Sequence, residues 1–352
     1  MNINRRKSRT VKIGDMAIGG SQPIAVQSMC STKTHDIAAT LEQISRLVKA
    51  GVDIVRVAVP DELAAEALPE IKANCRVPLV ADIHFNYRLA LAAADAGVDK
   101  LRINPGNIGK EDRIRQVIDK AKEKAIPIRI GVNQGSVERD LVDKYVGPRP
   151  EALVESALRH VAILEKHNFQ DIVISLKASS AWETIESYRL IADKCDYPLH
   201  LGVTEAGPVF RGSIKSAVAL GILLYQGIGD TIRVSLTADV EQEVKAAWEI
   251  LKALDLRRRG PDLVSCPTCG RNEIDLISLV AHVEKALEQV DKPIRVAVMG
   301  CVVNGPGEAA EADIGVIGGK NQILLTRKGK TIKKLKESEI AEALIEEINR
   351  FK

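Results

Sequence analysis

The chain has 352 residues, 45% hydrophobic and 28% charged, with a formal charge of +3 and only 3% aromatic residues. This ordinary globular mix is too long for one small core, so a large domain followed by a smaller one is expected. The weak charge and scarce aromatics exclude a base-stacking nucleic-acid binder, and no apolar run is long enough to span a membrane.

The first residues lack the apolar stretch of a secretory leader, which predicts a cytoplasmic protein whose six cysteines stay reduced. Arg5-Arg6-Lys7 reads as solvated surface. Residues 11–20, with Gly14-Asp15 at the middle, predict a β-hairpin able to plug the floor of a barrel. Eight short β-rich runs follow, at 24–29, 53–59, 79–83, 100–103, 128–132, 171–176, 199–203 and 231–236. Amphipathic helices lie between them, at 37–50, 61–74, 110–124, 151–167, 181–194 and 240–254. Apolar strands alternating with helices give a parallel sheet, and eight such units predict a closed (β/α)₈ TIM barrel over residues 1–256.

Arg257-Arg258-Arg259-Gly260-Pro261 breaks the pattern and reads as a linker. Beyond it the order changes: a cysteine-bearing loop, a helix at 275–288, a strand at 294–299 and a second cysteine loop. A strand pair at 314–317 and 322–326 and a helix at 337–351 complete it. This predicts a compact α+β domain over 257–352, with the strand pair turning through Gly318-Gly319-Lys320-Asn321.

Barrel enzymes work at the C-terminal ends of their strands. Here those ends carry Arg56, Asp82 and His84, Arg102 and Asn104, Arg129 and Asn133, Ser175 and Lys177, Thr204 and Glu205, and Arg233 and Ser235. Residues two apart on a strand share a face, so these side chains are expected to gather in one inward cup. An unpaired buried cation is costly, and only Asp82 and Glu205 are at hand as partners. The surplus predicts an anionic ligand, a phosphate or diphosphate, because arginine forks suit its oxygens. Each arginine alone could instead pair with a helix carboxylate, and His84 could be a structural imidazole on Asp82. The other histidines show no partner pattern, and Cys30, Cys75 and Cys195 stand singly, as small core residues do.

Cys266-Pro-Thr-Cys269 and Cys301 are clustered thiols, suited to zinc or an iron–sulfur centre. Zinc would need a fourth ligand, for which His282 is the candidate, although it falls inside a predicted helix. The alternative is Glu308, which follows Cys301 through a Gly305-Pro306-Gly307 loop. A [4Fe–4S] cluster would then have three irons on thiolate and one on a weaker carboxylate that can open to substrate.

Cys266-Pro-Thr-Cys269-Gly-Arg and Met299-Gly-Cys301-Val-Val-Asn-Gly-Pro-Gly-Glu308, behind a barrel carrying Ile103-Asn-Pro-Gly-Asn-Ile, resemble the 4-hydroxy-3-methylbut-2-enyl diphosphate synthases. These are the iron–sulfur enzymes of non-mevalonate isoprenoid synthesis, and the resemblance extends over essentially the whole chain in their short two-domain form. It implies a two-electron reductive opening and dehydration of 2-C-methyl-D-erythritol 2,4-cyclodiphosphate. It also implies reduced flavodoxin or ferredoxin as donor, and a homodimer in which one subunit's cluster domain closes over the other's barrel. Residue by residue, it implies that Arg56, Arg102, Arg129 and Lys177 hold the diphosphate, with Asn104, Asn133, Thr204 and Ser235 adding hydrogen bonds. Asp82 and His84 would orient the substrate or each other, Glu205 would donate the proton, and Cys266, Cys269, Cys301 and Glu308 would hold the cluster. Two rival readings are a zinc-dependent phosphate-binding lyase and an electron carrier fused to a barrel. A radical enzyme using adenosylmethionine lacks its Cys-x₃-Cys-x₂-Cys spacing here.

Overall fold

A computed structural model describes residues 3–147, 149–272, 274–301, 303, 305–319 and 322–351. The chain divides into two units, Met1–Arg257 and Arg258–Lys352. No helix among the described residues is long and apolar enough to cross a membrane.

The first unit opens with an antiparallel hairpin, β1 (Val11–Ile13) and β2 (Met16–Ile18). Eight strands follow: β3 (Ala25–Met29), β4 (Ile54–Ala58), β5 (Leu79–Asp82), β6 (Lys100–Ile103), β7 (Ile128–Asn133), β8 (Ile172–Lys177), β9 (His200–Leu201) and β10 (Thr231–Ile232). They run parallel from β3 through β8, β10 lies between β9 and β3, and a bridge from Ile174 to Leu199 closes the ring. The hairpin is the expected plug: Val11, Ile13 and Ile18 pack with Ala25, Ile54, Val80 and Val173 at the barrel floor.

The helices form where their caps and apolar faces allow. Asp36 and Asp61 cap the helices Ile37–Ala50 and Glu62–Asn74 by accepting the Ala39 and Ala64 amides, and Ser180 caps Ala181–Ala192. Gly51, at φ 96°, ends the first of these in the left-handed conformation that glycine tolerates best. Buried leucine, isoleucine, valine and alanine from strands and helices together make the main core.

The strand register, with a one-residue stagger per strand, sorts the inward side chains into layers contributed by alternate strands. Ile54, Lys100, Val173 and Thr231 form the lowest. Gln27, Val80, Arg129 and His200 lie above it, then Arg56, Arg102, Ser175 and Arg233. Met29, Asp82, Gly131 and Gly202 come next, and Ala58, Asn104, Lys177 and Ser235 line the mouth.

Arg5 and Arg6 are engaged rather than solvated, contrary to expectation, while the run at Arg257 lies where the two units divide. Arg5 pairs with Asp230, and Arg6 donates to the carbonyls of Ala192, Cys195 and Tyr197. Arg257 is bound to Asp53 at 2.6 Å and stacks on Trp248. Cys30 is buried and its thiol pushed up to about 12; burial also raises Cys75 and Cys195, as suits inert small residues.

The second unit is a five-stranded sheet in the order β11 (Asp262–Ser265), β12 (Arg295–Met299), β13 (Ile314–Gly319), β14 (Gln322–Arg327) and β15 (Lys330–Leu335). The first three strands are parallel and the last two antiparallel. Helices Leu276–Leu287 and Ile340–Arg350 bury their apolar faces on it. Strands β13 and β14 pair as far as Gly319 and Gln322, and the expected turn at residues 320 and 321 lies outside the described residues.

Candidate functional site

The barrel mouth gathers the cations that strand parity predicts. Arg102 Nη1 lies 3.1 Å from Asp82 Oδ1, and Arg56 Nε is 3.8 Å from Asp82 Oδ2. Exposed His84 turns back to Asp82 Oδ2 at 3.4 Å. Burial alone would hold Asp82 protonated, but Arg56, the His84 hydrogen bond and Arg102 together keep its carboxyl well below the usual range.

Arg129 and Lys177 are buried and have no carboxylate in contact among the described residues, since Asp82 pairs with Arg56 and Arg102 and Glu243 with Arg233. Burial first, and neighbouring arginines second, push both well below their ordinary values. Arg56 is lowered to about 10, burial again outweighing Asp82. Cations confined this way create a strong demand for negative charge. Glycines make room for them. A methyl group on Gly131 would overlap the Arg102 guanidinium, coming within 2.8 Å of Nη2, and one on Gly202 would reach within 2.9 Å of Lys177 Nζ.

The polar residues stand where expected at the rim. Buried Asn104 accepts the Gly106 amide and caps the short helix Pro105–Ile108. Asn133 ends β7, half-buried. Thr204 and Ser235 are half-buried, and Glu205 is exposed with φ 52°, an uncommon conformation for a side-chain-bearing residue.

Sequence reasoning missed three residues here. Glu243, buried on the helix Val240–Ala253, binds Arg233 at 3.2 Å through both oxygens and accepts from Ser28. Glu243, not Glu205, is therefore the buried carboxylate that joins Asp82 in pairing with the arginines of the cup. Lys100 and His200 are fully buried in the lower layers; each lies on a strand at the inward parity, which was the available signal. His160 also departs from its ordinary reading, meeting Glu138 at 3.0 Å while buried.

In the second unit, Cys266 directly follows β11, and Cys301 comes two residues after β12, its parallel neighbour. Cys266 Sγ accepts the Gly300 N–H at 3.4 Å, which ties the two loops together. Asn272 packs against Gly300, and its backbone N–H donates to the Cys269 carbonyl at 2.9 Å. Cys269 is exposed; hydrogen bonds from the Arg271 backbone and guanidinium lower its thiol toward thiolate, and Arg271 also feels the charge of Cys301.

Glu308 is exposed in the first turn of a short helix, Gly305–Ala310. The Gly-Pro-Gly run thus opens a helix rather than remaining a loop. That helix sits tight on the sheet, because added methyl groups at Gly305 and Gly315 would clash with Ile317 and Ala309. Residues 302 and 304 lie outside the described residues.

Among the described residues no three His, Cys, Asp or Glu side chains stand close enough to hold a single metal ion. Cys266, Cys269 and Cys301 are soft sulfur donors of the kind that zinc and iron–sulfur centres share. His282, the zinc alternative, sits on the helix Leu276–Leu287 beside Glu337 at 3.8 Å.

Family models described as the GcpE TIM-barrel domain and the GcpE protein C-terminal domain match residues 8–248 and 262–350. A protein of Maridesulfovibrio salexigens named 4-hydroxy-3-methylbut-2-en-1-yl diphosphate synthase (flavodoxin) is 60% identical over 337 residues, covering 96% of this chain and 94% of its own. The protein of the same name from Clostridium tetani is 58% identical over 349 residues, covering 99% and 100%. Among solved structures, a type I 3-dehydroquinate dehydratase from Clostridium difficile superposes with a TM-score of 0.51 at 13% identity, covering 70% of this chain and 98% of its own. That likeness concerns the barrel fold alone.

Proposed function

The chain belongs to the GcpE family, and from that premise we propose that it reductively opens 2-C-methyl-D-erythritol 2,4-cyclodiphosphate to 4-hydroxy-3-methylbut-2-enyl diphosphate, in the non-mevalonate route to isoprenoids. The observation that carries the reading is the cation surplus inside the barrel: Arg56 and Arg102 share Asp82, while buried Lys177 and, lower down, buried Arg129 have no carboxylate in contact among the described residues.

In this reading those four cations bind the diphosphate, and Asn104, Asn133, Thr204 and Ser235 complete its hydrogen bonds at the rim. Asp82 holds Arg102 and Arg56 in fixed directions, so the guanidinium forks are aimed before substrate arrives. His84, tethered to the same carboxylate, bounds the substrate on its exposed side. As the ring C–O bond breaks, negative charge grows on the diphosphate oxygen, where the cations stabilise it. The departing hydroxyl needs a proton to leave as water, and Glu205, exposed at its strand end, supplies it.

Cys266, Cys269, Cys301 and Glu308 would hold a [4Fe–4S] cluster, which when bound supplies electrons singly and Lewis acidity. Hydrogen bonds from Arg271 lower the Cys269 thiol toward the ligating thiolate. Exposed Glu308 is the ligand free to swing. The division of labour is residues 1–256 for substrate and 257–352 for the cluster, with reduced flavodoxin or ferredoxin as donor in the cytoplasm.

A homodimer completes the reading. The helix Val209–Tyr225 exposes Phe210, Ile214, Val218 and Ile222 at a spacing of four, one continuous apolar row on its outer face. Such a row suits burial against a second copy.

The deciding test is anaerobic assay of the purified, brown protein with the cyclodiphosphate and a chemical reductant. A full complement of iron and sulfide without turnover would overturn the proposed reaction.

A further inference from the structure

Beneath the mouth, the two lowest polar layers hold side-chain atoms with no partner among the described residues. Lys100 Nζ, Arg129 Nε and Nη1, both polar ends of Gln27, and His200 Nε2 are all buried without a hydrogen bond. Their residues are no more than 1% exposed. Their parity turns them into the barrel lumen, Lys100 in one layer and Gln27, Arg129 and His200 in the next. Asp82 belongs to a higher layer and is already bonded to Arg102 and facing Arg56. Below, the hairpin seals the floor with Val11, Ile13 and Ile18, which offer nothing polar.

Buried polar groups in folded proteins have partners, and buried cations have counter-charges. Here the unpartnered atoms are overwhelmingly donors. His200 fits the same pattern: its Nδ1 is 2.7 Å from Thr231 Oγ1, and when that hydroxyl donates, Nε2 carries the ring N–H. We propose that this chamber is a second anion site, one storey below the mouth, that takes a small inorganic monoanion such as chloride between Lys100, Arg129, Gln27 and His200. The hairpin bounds these residues on one side and the Arg56–Arg102 layer on the other, which favours a small ion over a diphosphate. It neutralises the base of the cup without occupying the mouth; it shares Arg129 with the diphosphate reading, whereas Lys100, Gln27 and His200 belong to it alone.

Crystals of the holoenzyme soaked in sodium bromide, measured at the bromine edge, test it directly. An anomalous peak within contact of Lys100 Nζ and Arg129 is expected; peaks confined to the mouth or surface, or water alone in the chamber, would overturn it. In solution, raising chloride from about 5 to about 200 mM at constant ionic strength, with isethionate as the balance, should lift the melting midpoint by roughly 4 °C. Lys100→Met should abolish that dependence, and if it does not fold, Gln27→Leu should blunt it. Equal chloride dependence in wild type and folded variant counts against the site.

Discussion

Arg102 is gripped at both ends of its fork: Nη1 lies 3.1 Å from Asp82 Oδ1 while Nη2 donates to the Gly131 carbonyl at 3.2 Å. The arginine is thereby aimed by a carboxylate on one neighbouring strand and a bare backbone on the other. Removing the carboxylate leaves Arg56 and Arg102 buried without counter-charge. Asp82→Asn should cost about 3 kcal/mol of stability, the penalty of a broken buried pair. Both tryptophans, Trp182 and Trp248, lie in the barrel unit, so urea titration followed by their fluorescence reads the loss. Added pyrophosphate should recover part of it.

The same carboxyl sets an acid limit. Its folded-state value is depressed, so its contribution is fully present above about pH 4, its unfolded value, and is lost as pH falls through the folded one. Wild-type stability should therefore decline from about pH 4 downward more steeply than that of Asp82→Asn. Parallel slopes in the two proteins would rule out Asp82 as the titrating group.

Arg129→Met should weaken binding of the cyclodiphosphate roughly 10- to 100-fold, the value of a charge-assisted contact to phosphate, and leave the cluster's absorbance intact. Calorimetry on the anaerobic protein measures it; undiminished affinity removes Arg129 from the cup.

Glu205→Gln should keep the cluster and the substrate affinity yet reduce turnover by about 10²- to 10⁴-fold, as loss of a general acid does. Glu205→Gly should lose turnover equally but gain roughly 1 kcal/mol of stability, because φ 52° suits glycine. A fully active Glu205→Gln protein would move the proton donor elsewhere.

Cys269→Ala should abolish stoichiometric iron binding, whereas Glu308→Ala should leave a cluster that is present but altered in its spectrum. Phe210→Glu with Ile214→Glu should shift the sedimenting species to monomer and lower the melting midpoint by the stabilisation the dimer supplied, while the circular dichroism of the folded chain stays unchanged, since both side chains are exposed on the single chain. A dimer that survives both changes is held by another surface.

Much of the barrel was legible because its physics is local. Buried strands between amphipathic helices announce themselves, and strand parity alone placed Arg56, Arg102, Arg129 and Lys177 on one face. Parity applied two residues upstream of Arg102 would also have turned Lys100 inward. Glu243 was not legible: it reaches Arg233 from a helix, and no periodicity links a helix position to a strand end. The helix Val209–Tyr225 escaped the amphipathic pattern because both its faces are apolar, one for the core and one exposed. Strand β15 escaped it for the opposite reason, since Lys330-Thr-Ile-Lys-Lys-Leu335 is an edge strand whose lysines discourage further pairing. Strands β9 and β10 are shorter than the sequence suggests. At Gly202 the backbone passes so near the Arg233 carbonyl, 2.7 Å from where a Cβ would stand, that no side chain fits.

The floor hairpin has a consequence for how the molecule assembles. Arg5 and Ser8, just upstream of it, bond Asp230, and the first of these contacts spans 225 positions of sequence. Val11, Ile13 and Ile18 find their apolar neighbours only when strands as distant as Val173 have arrived. The cork is thus manufactured before the bottle and must wait for it. Closure of so long a loop is entropically costly, so the barrel's bottom is expected to seal only after its distant strands have met.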